Sequence, residues 1–206
     1  MGPSEWIALG GVLIAMLSVV ASLLKDDLRR WLWPPNVKAD VSVTIFNVLV
    51  QRTGHYVPHA FVRLKLSLSA DRGSAVGVQV SVLSCTPAPR LGGVIEVLDR
   101  EMLRPLRWSF EHSAFMDLTA GSSRFVDLLE VSSNDNRQAR LTTVGAPNEG
   151  LILNPAREPY KIRVLIAGHN IKPAENVIAV VHGGRWDGTA ASLRSELVAH
   201  INSNVS

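Results

Sequence analysis

From Trp6 to Leu24 the chain reads WIALGGVLIAMLSVVASLL, with no charge and no strongly polar group. At about 1.5 Å of rise per residue, such a run is as a helix just long enough for a hydrocarbon core roughly 30 Å thick. Past residue 40 the period changes. Val62, Leu64, Leu66 and Leu68 alternate with Phe61, Arg63, Lys65 and Ser67, the pattern of a strand with one buried face. Val76, Val78, Val80 and Val82 alternate in the same way after SADRGSA, a polar stretch suited to a hairpin loop. A second such pair is predicted over Tyr160 to Ala167 and Val177 to Val181, around GHNIKPAEN. Asp40 to Leu49, Arg124 to Val131, Arg140 to Val144 and Gly150 to Leu153 are further strand candidates, and Leu91 to Arg107 suits helix or strand equally. From Thr189 to Asn202 the residues Ala190, Leu193, Leu197 and Ile201 share a helical stripe, with Asp187 or Thr189 placed to cap it.

These periods divide the chain into a transmembrane helix and interfacial flank over 1–33, a Pro-rich linker over 34–39, a β-domain over 40–186, and a C-terminal helix and tail over 187–206. Many short strands with turn signals and no long helical period between them predict a mainly β, antiparallel sandwich, since parallel pairs would need crossover helices.

A cleaved signal peptide competes with the anchor, but Met1 to Glu5 has no basic residue and the apolar run exceeds a usual signal core. Lys25, Arg29, Arg30 and Lys38 follow the span and none precedes it, which places the C-terminal bulk in the cytoplasm and the anchor in the cytoplasmic membrane. Trp6 at one end, and Arg29, Arg30, Trp31 and Trp33 at the other, suit the membrane interface. Within the span Ala8, Gly11, Ala15, Ser18 and Ser22 align small residues on one face, where a partner helix or a second copy could pack closely. Pro34 and Pro35 end the interfacial helix.

Charge changes the picture little. Of 21 basic side chains four precede residue 40, and of 18 acidic ones three do, leaving 17 against 15 and a net +2 for the remainder. The basic balance therefore owes much to the membrane flank, and nucleic acid is not an expected partner. One cysteine, Cys85, excludes an internal disulfide framework.

Candidate chemistry is thin. His55 and His59 have helical zinc spacing, yet Tyr56, Val57 and Pro58 between them predict a non-helical loop. Ser132 to Asn136 lacks the spaced acids of a calcium loop, and no phosphate loop or nucleophile elbow occurs. No metal and no cofactor is expected. Asp99, Glu101, Glu111, His112 and Asp117 lie in the least regular third, where a catalytic cluster would be sought first.

The spanning start, FVRLKL, AGSSRFVDLLEV and EPYKIRVLIAGHNIKPAENVIAVVHGGRW resemble a group of uncharacterised bacterial single-pass membrane proteins with one immunoglobulin-like β-sandwich. The resemblance implies an anchored module and supplies no activity and no site residues. The expectation is a non-enzymatic, membrane-anchored interaction module. The alternatives are a subunit that assembles through its transmembrane helix with the sandwich as a cap, and a hydrolase.

Overall fold

The computed structural model describes residues 2, 11–22, 34–50, 54–70, 73–86, 90–91, 94–95, 104–111, 113–144, 152–155 and 158–202. The described chain is mainly β, every strand pair is antiparallel, and the short helix Ala190–Glu196 precedes the last described strand. One sheet has the order β1 (Val37–Val50), β2 (His55–Leu68), β8 (Ser123–Ser132), β9 (Asp135–Leu141), β10 (Ile152–Leu153). The other runs β13 (Leu197–Asn202), β12 (Ala174–His182), β11 (Tyr160–Ala167), β3 (Ala75–Thr86), β6 (Arg104–Pro105), with β7 (Met116–Leu118) also on β3. A separate two-stranded pair joins β4 (Arg90–Leu91) to β5 (Val94–Ile95).

The alternation in β2 does what its period predicts: Val62, Leu64 and Leu66 are fully buried and meet Val80, Val82, Ile162 and Val164 of the other sheet in one apolar core. Each such side chain contributes about 1.5–3 kcal/mol by leaving water. Val41, Val43 and Ile45 of β1 pack on the rim of that core. The expected pairing of Tyr160 to Ala167 with the following valine strand is present, with Ile162 opposite Ile178.

The expected hairpin across SADRGSA is not formed. β2 pairs with β1 and β8, whereas β3 pairs with β11, so the chain leaves one sheet for the other at this point. The valine strand itself is present, with Val78, Val80 and Val82 buried, and its alternation breaks only at Gly77. The glycine's φ of +60° opens an irregularity between Ala75 and Val78, the His169 ring fills the space a Cβ would need, and Val76 is turned out to solvent.

The C-terminal helix is also shorter than the stripe predicts. The α-helix Ala190–Glu196 begins at its cap Thr189, whose side chain accepts from Ser192 N–H, but Leu197–Asn202 leaves the helix and pairs with β12. Leu197 and Ile201 face the core from a strand, because the exposed ladder of β12 supplies backbone partners that one more helical turn could not. Likewise β1 begins at Val37, so only 34–36 of the expected linker lacks regular structure, and Pro35 is buried.

Residues 11–22 are helical and exposed throughout. Among the described residues no helix is long and apolar enough to cross a membrane. Gly11, Ala15, Ser18 and Ser22 lie on one face of the helix, but Ser18 and Ser22 donate their hydroxyls to Ile14 and Val19 carbonyls of the same helix. Ala8, Trp6, Arg29, Arg30, Trp31 and Trp33 lie outside the described residues.

Candidate functional site

The outward face of the first sheet carries the site. Arg63, expected to face solvent, is only 6% exposed, and Phe61 beside it 7%. Two local features cover them. In β8 the register against β2 shifts between Val62 and Arg63, leaving Leu128 as an extra residue, so Val126, Asp127, Leu128 and Leu129 are all buried in sequence. The bulge keeps the leucines in the core and sets Asp127 opposite Arg63 on the outer face.

The second feature is a segment that passes between the sheets. Leu106 N–H donates to Val80 O on one sheet, and Arg107 N–H then donates to Thr142 O on the other. Asp127 N–H donates to Arg107 O and Ser109 N–H to Phe125 O, so residues 107–109 run beside β8 where β9 has diverged. Trp108 points inward and is fully buried, with its indole N–H donating to Ala114 O at 3.3 Å. Arg107 and Ser109, its neighbours, point outward.

At the centre Arg63 Nε donates to Asp127 Oδ1 at 2.9 Å, with both side chains more than nine-tenths buried. Ser109 Oγ donates to the same Asp127 oxygen at 2.5 Å. Phenyl rings surround the guanidinium, with centroids at 4.2 Å for Phe46, 5.1 Å for Phe110, 5.5 Å for Phe61 and 5.9 Å for Phe125. Rings at that range favour a cation over water-filled space, which offsets part of the cost of burying it. Asn47, Val48, Arg107, Glu111 and Glu130 complete the wall of a cavity of about 500 Å³.

Beside it His59 Nδ1 lies 2.5 Å from Glu130 Oε1. That hydrogen bond, aided by the charges of His59, Arg107 and Arg140 and opposed by burial, holds the Glu130 carboxyl below the usual glutamate range. A carboxyl depressed in the fold stabilises it above the ordinary glutamate value and loses that contribution as pH falls from about 4.5 through the lowered value. Glu130→Gln is therefore expected to cost about 1–2 kcal/mol in urea unfolding at pH 7. The gap to wild type should close as the titration is repeated at lower pH.

Phe110 is the one described non-glycine residue with positive φ, at +66°, and its ring is 83% exposed. Glu111 N–H donates to Trp108 O at 3.1 Å, closing a turn in which Phe110 holds the third position, where glycine or asparagine is usual. A strained backbone carrying an exposed phenyl over a cavity gains nothing for the core, which directs attention to function. Phe110→Gly is expected to leave stability unchanged or raise it by about 1 kcal/mol, measured by chemical denaturation.

Among the described residues, those singled out as chemistry in the sequence do not share one site. Glu111 lines the cavity, Asp117 lies on β7 and accepts from Gly77 N–H, and Asp99, Glu101 and His112 fall outside the described residues. His55 and His59 lie in strand β2 rather than a loop, because Pro58 is accommodated at a position whose carbonyl, not its missing N–H, is used, by Ser133. Ser133 and Asn134 form the turn between β8 and β9. Cys85 is buried in the core, which pushes its thiol up to about 12. Arg63, Asp127 and the phenyl cage were missed. The available signal was an acid inside the apolar run VDLL and aromatics at the outward positions Phe61 and Phe125. Compared with protein-family models, curated proteins and solved structures, the chain matches none.

Proposed function

We propose that the protein is a non-enzymatic, membrane-anchored binding module that presents a β-sandwich at the cytoplasmic face of the cytoplasmic membrane and binds through the phenyl-lined cavity on its outer face. The observation that carries this reading is the cavity itself: a strand face with sequence suited to solvent is covered by a turn that holds a strained, exposed phenylalanine over a buried ion pair. Its carboxylates Asp127 and Glu130 are committed to Arg63 and His59, which suits recognition more than proton transfer.

The anchor is supported by residues 11–22, a helix apolar on every side whose residues all stand exposed. Such a surface is unfavourable in water and ordinary in lipid. A sandwich is supported by two antiparallel sheets that share one core. An immunoglobulin-like half is supported by the order β12-β11-β3, which matches strands G, F and C, and by Tyr160 at the start of β11, whose hydroxyl donates to Asn154 O at 2.9 Å as a tyrosine corner does. The other sheet departs from the A-B-E-D order, since β8, the earlier strand of its hairpin, lies beside β2.

Photo-crosslinking tests the reading. A photoreactive phenylalanine analogue at position 110 of the full chain in cells should give a discrete adduct, and the same analogue at exposed Val76 on the other sheet should not. Identical adducts from both positions, or none from 110, would overturn it. The assembly alternative draws on the small-residue face of Gly11, Ala15, Ser18 and Ser22. Replacing 6–24 by polyleucine separates the two: the adduct at 110 survives if the cavity acts alone and is lost if helix association builds the site.

A further inference from the structure

Resting on the reading of the cavity as a binding site, we infer that its ligand is an apolar body bearing a carboxylate, with the carboxylate held by Arg63 and Arg107 and the body laid against Phe46, Phe61 and Phe110. A guanidinium has five N–H donors in a planar fork. Arg63 commits only Nε, to Asp127, and its Nη groups have no hydrogen-bond partner among the described residues and are not among the fully enclosed atoms of this cavity wall. Guanidinium donors that open on a cavity are completed there by water or by the acceptor oxygens of a ligand. Arg107, on the same wall, forms no ion pair among the described residues. A guanidinium whose Nη donors are not engaged by the protein is suited to receive a carboxylate, and both arginines line the same cavity.

The acids on the wall form no ion pair with the Arg63 Nη groups or with Arg107 among the described residues, although the charge of Arg107 acts on Glu130. Asp127 is held by Arg63 Nε and Ser109, Glu130 is held by His59, and Glu111 is exposed to solvent. A cationic ligand is disfavoured for a separate reason: the ring faces that would attract it already surround the Arg63 guanidinium, so a second cation there would meet a like charge at close range.

The carboxylate can come from a free arylalkanoic acid or from the C-terminus of a peptide ending in an apolar residue, and calorimetric titration of the full chain in lipid nanodiscs separates them. The probes are 3-phenylpropionate, its neutral amide, phenethylamine, and a peptide ending in phenylalanine as free acid or as amide. The expected result is one site for 3-phenylpropionate, with the amide and the amine weaker by roughly tenfold or more. Arg107→Gln should weaken the carboxylate by a similar factor and leave the amide unchanged, whereas Phe110→Gly should weaken both. Binding of the free-acid peptide well above that of 3-phenylpropionate assigns the peptide source, and the reverse assigns the free acid. Phenethylamine or the amide binding as tightly as the carboxylate, or Arg107→Gln without effect, overturns the ligand class while leaving a functioning cavity. No binding by any probe overturns the ligand class and the binding-site reading together.

Discussion

Replacing Asp127 by alanine is expected to cost the domain about 3–5 kcal/mol, because it leaves the Arg63 guanidinium buried without its countercharge. The same change frees Ser109 Oγ, which donates to that carboxylate and ties the crossing segment to β8. The double substitution Arg63→Met with Asp127→Leu should recover most of the loss, since two apolar side chains of similar volume carry no desolvation cost. Urea unfolding of the full chain, wild type against the single and double variants, gives both numbers at once. A single variant as stable as wild type would mean that water reaches Arg63 freely and that the outer face is open rather than covered. The double variant should keep the fold and lose the proposed binding, so it separates stability from binding.

Trp108→Ala is expected to be of similar size, about 3–5 kcal/mol, for a different reason. The indole is fully buried where the segment 106–109 passes from one sheet to the other, and its loss opens a cavity between them. It also releases the N–H bond to Ala114 O and loosens the turn that carries Phe110, so binding should fall with stability. Trp186→Ala is the control. That side chain is equally buried and its N–H donates to Thr189 O beside the terminal helix, so it should destabilise without touching the cavity. Thermal unfolding followed in parallel with the calorimetric titration distinguishes the two variants.

The strands were legible wherever burial alone decides residue choice. FVRLKLSL and YKIRVLIA alternate because one face of each meets the core, and both are strands at the expected places. Partnership was not legible, because alternation states which face is buried and not which neighbour a strand joins. The short polar stretch after Leu68 suits a hairpin and a crossing between sheets equally, and the crossing is what occurs. The terminal stripe failed by the same ambiguity: Leu193, Leu197 and Ile201 fit a helix by spacing, but a free strand edge on β12 captured Leu197–Asn202. The site was the least legible part. Arg63 reads as an ordinary outward residue until the bulge at Leu128 and the turn at Phe110 are known, and both depend on contacts more than forty residues away in sequence. Among the described residues, Glu111 connects the cluster sought in the sequence with the cavity found.

We propose that the protein is held to a membrane by its first helix with the cavity on the cytoplasmic side. Paired cysteine accessibility in a Cys85→Ser background tests it most directly, with Gly2→Cys ahead of the apolar run and Ser74→Cys at an exposed turn of the domain. A membrane-impermeant maleimide is expected to reach position 2 from outside the cytoplasmic membrane and to reach position 74 only after that membrane is opened. Labelling of both positions from the same side would contradict a spanning helix, and labelling of position 74 from outside would contradict the orientation.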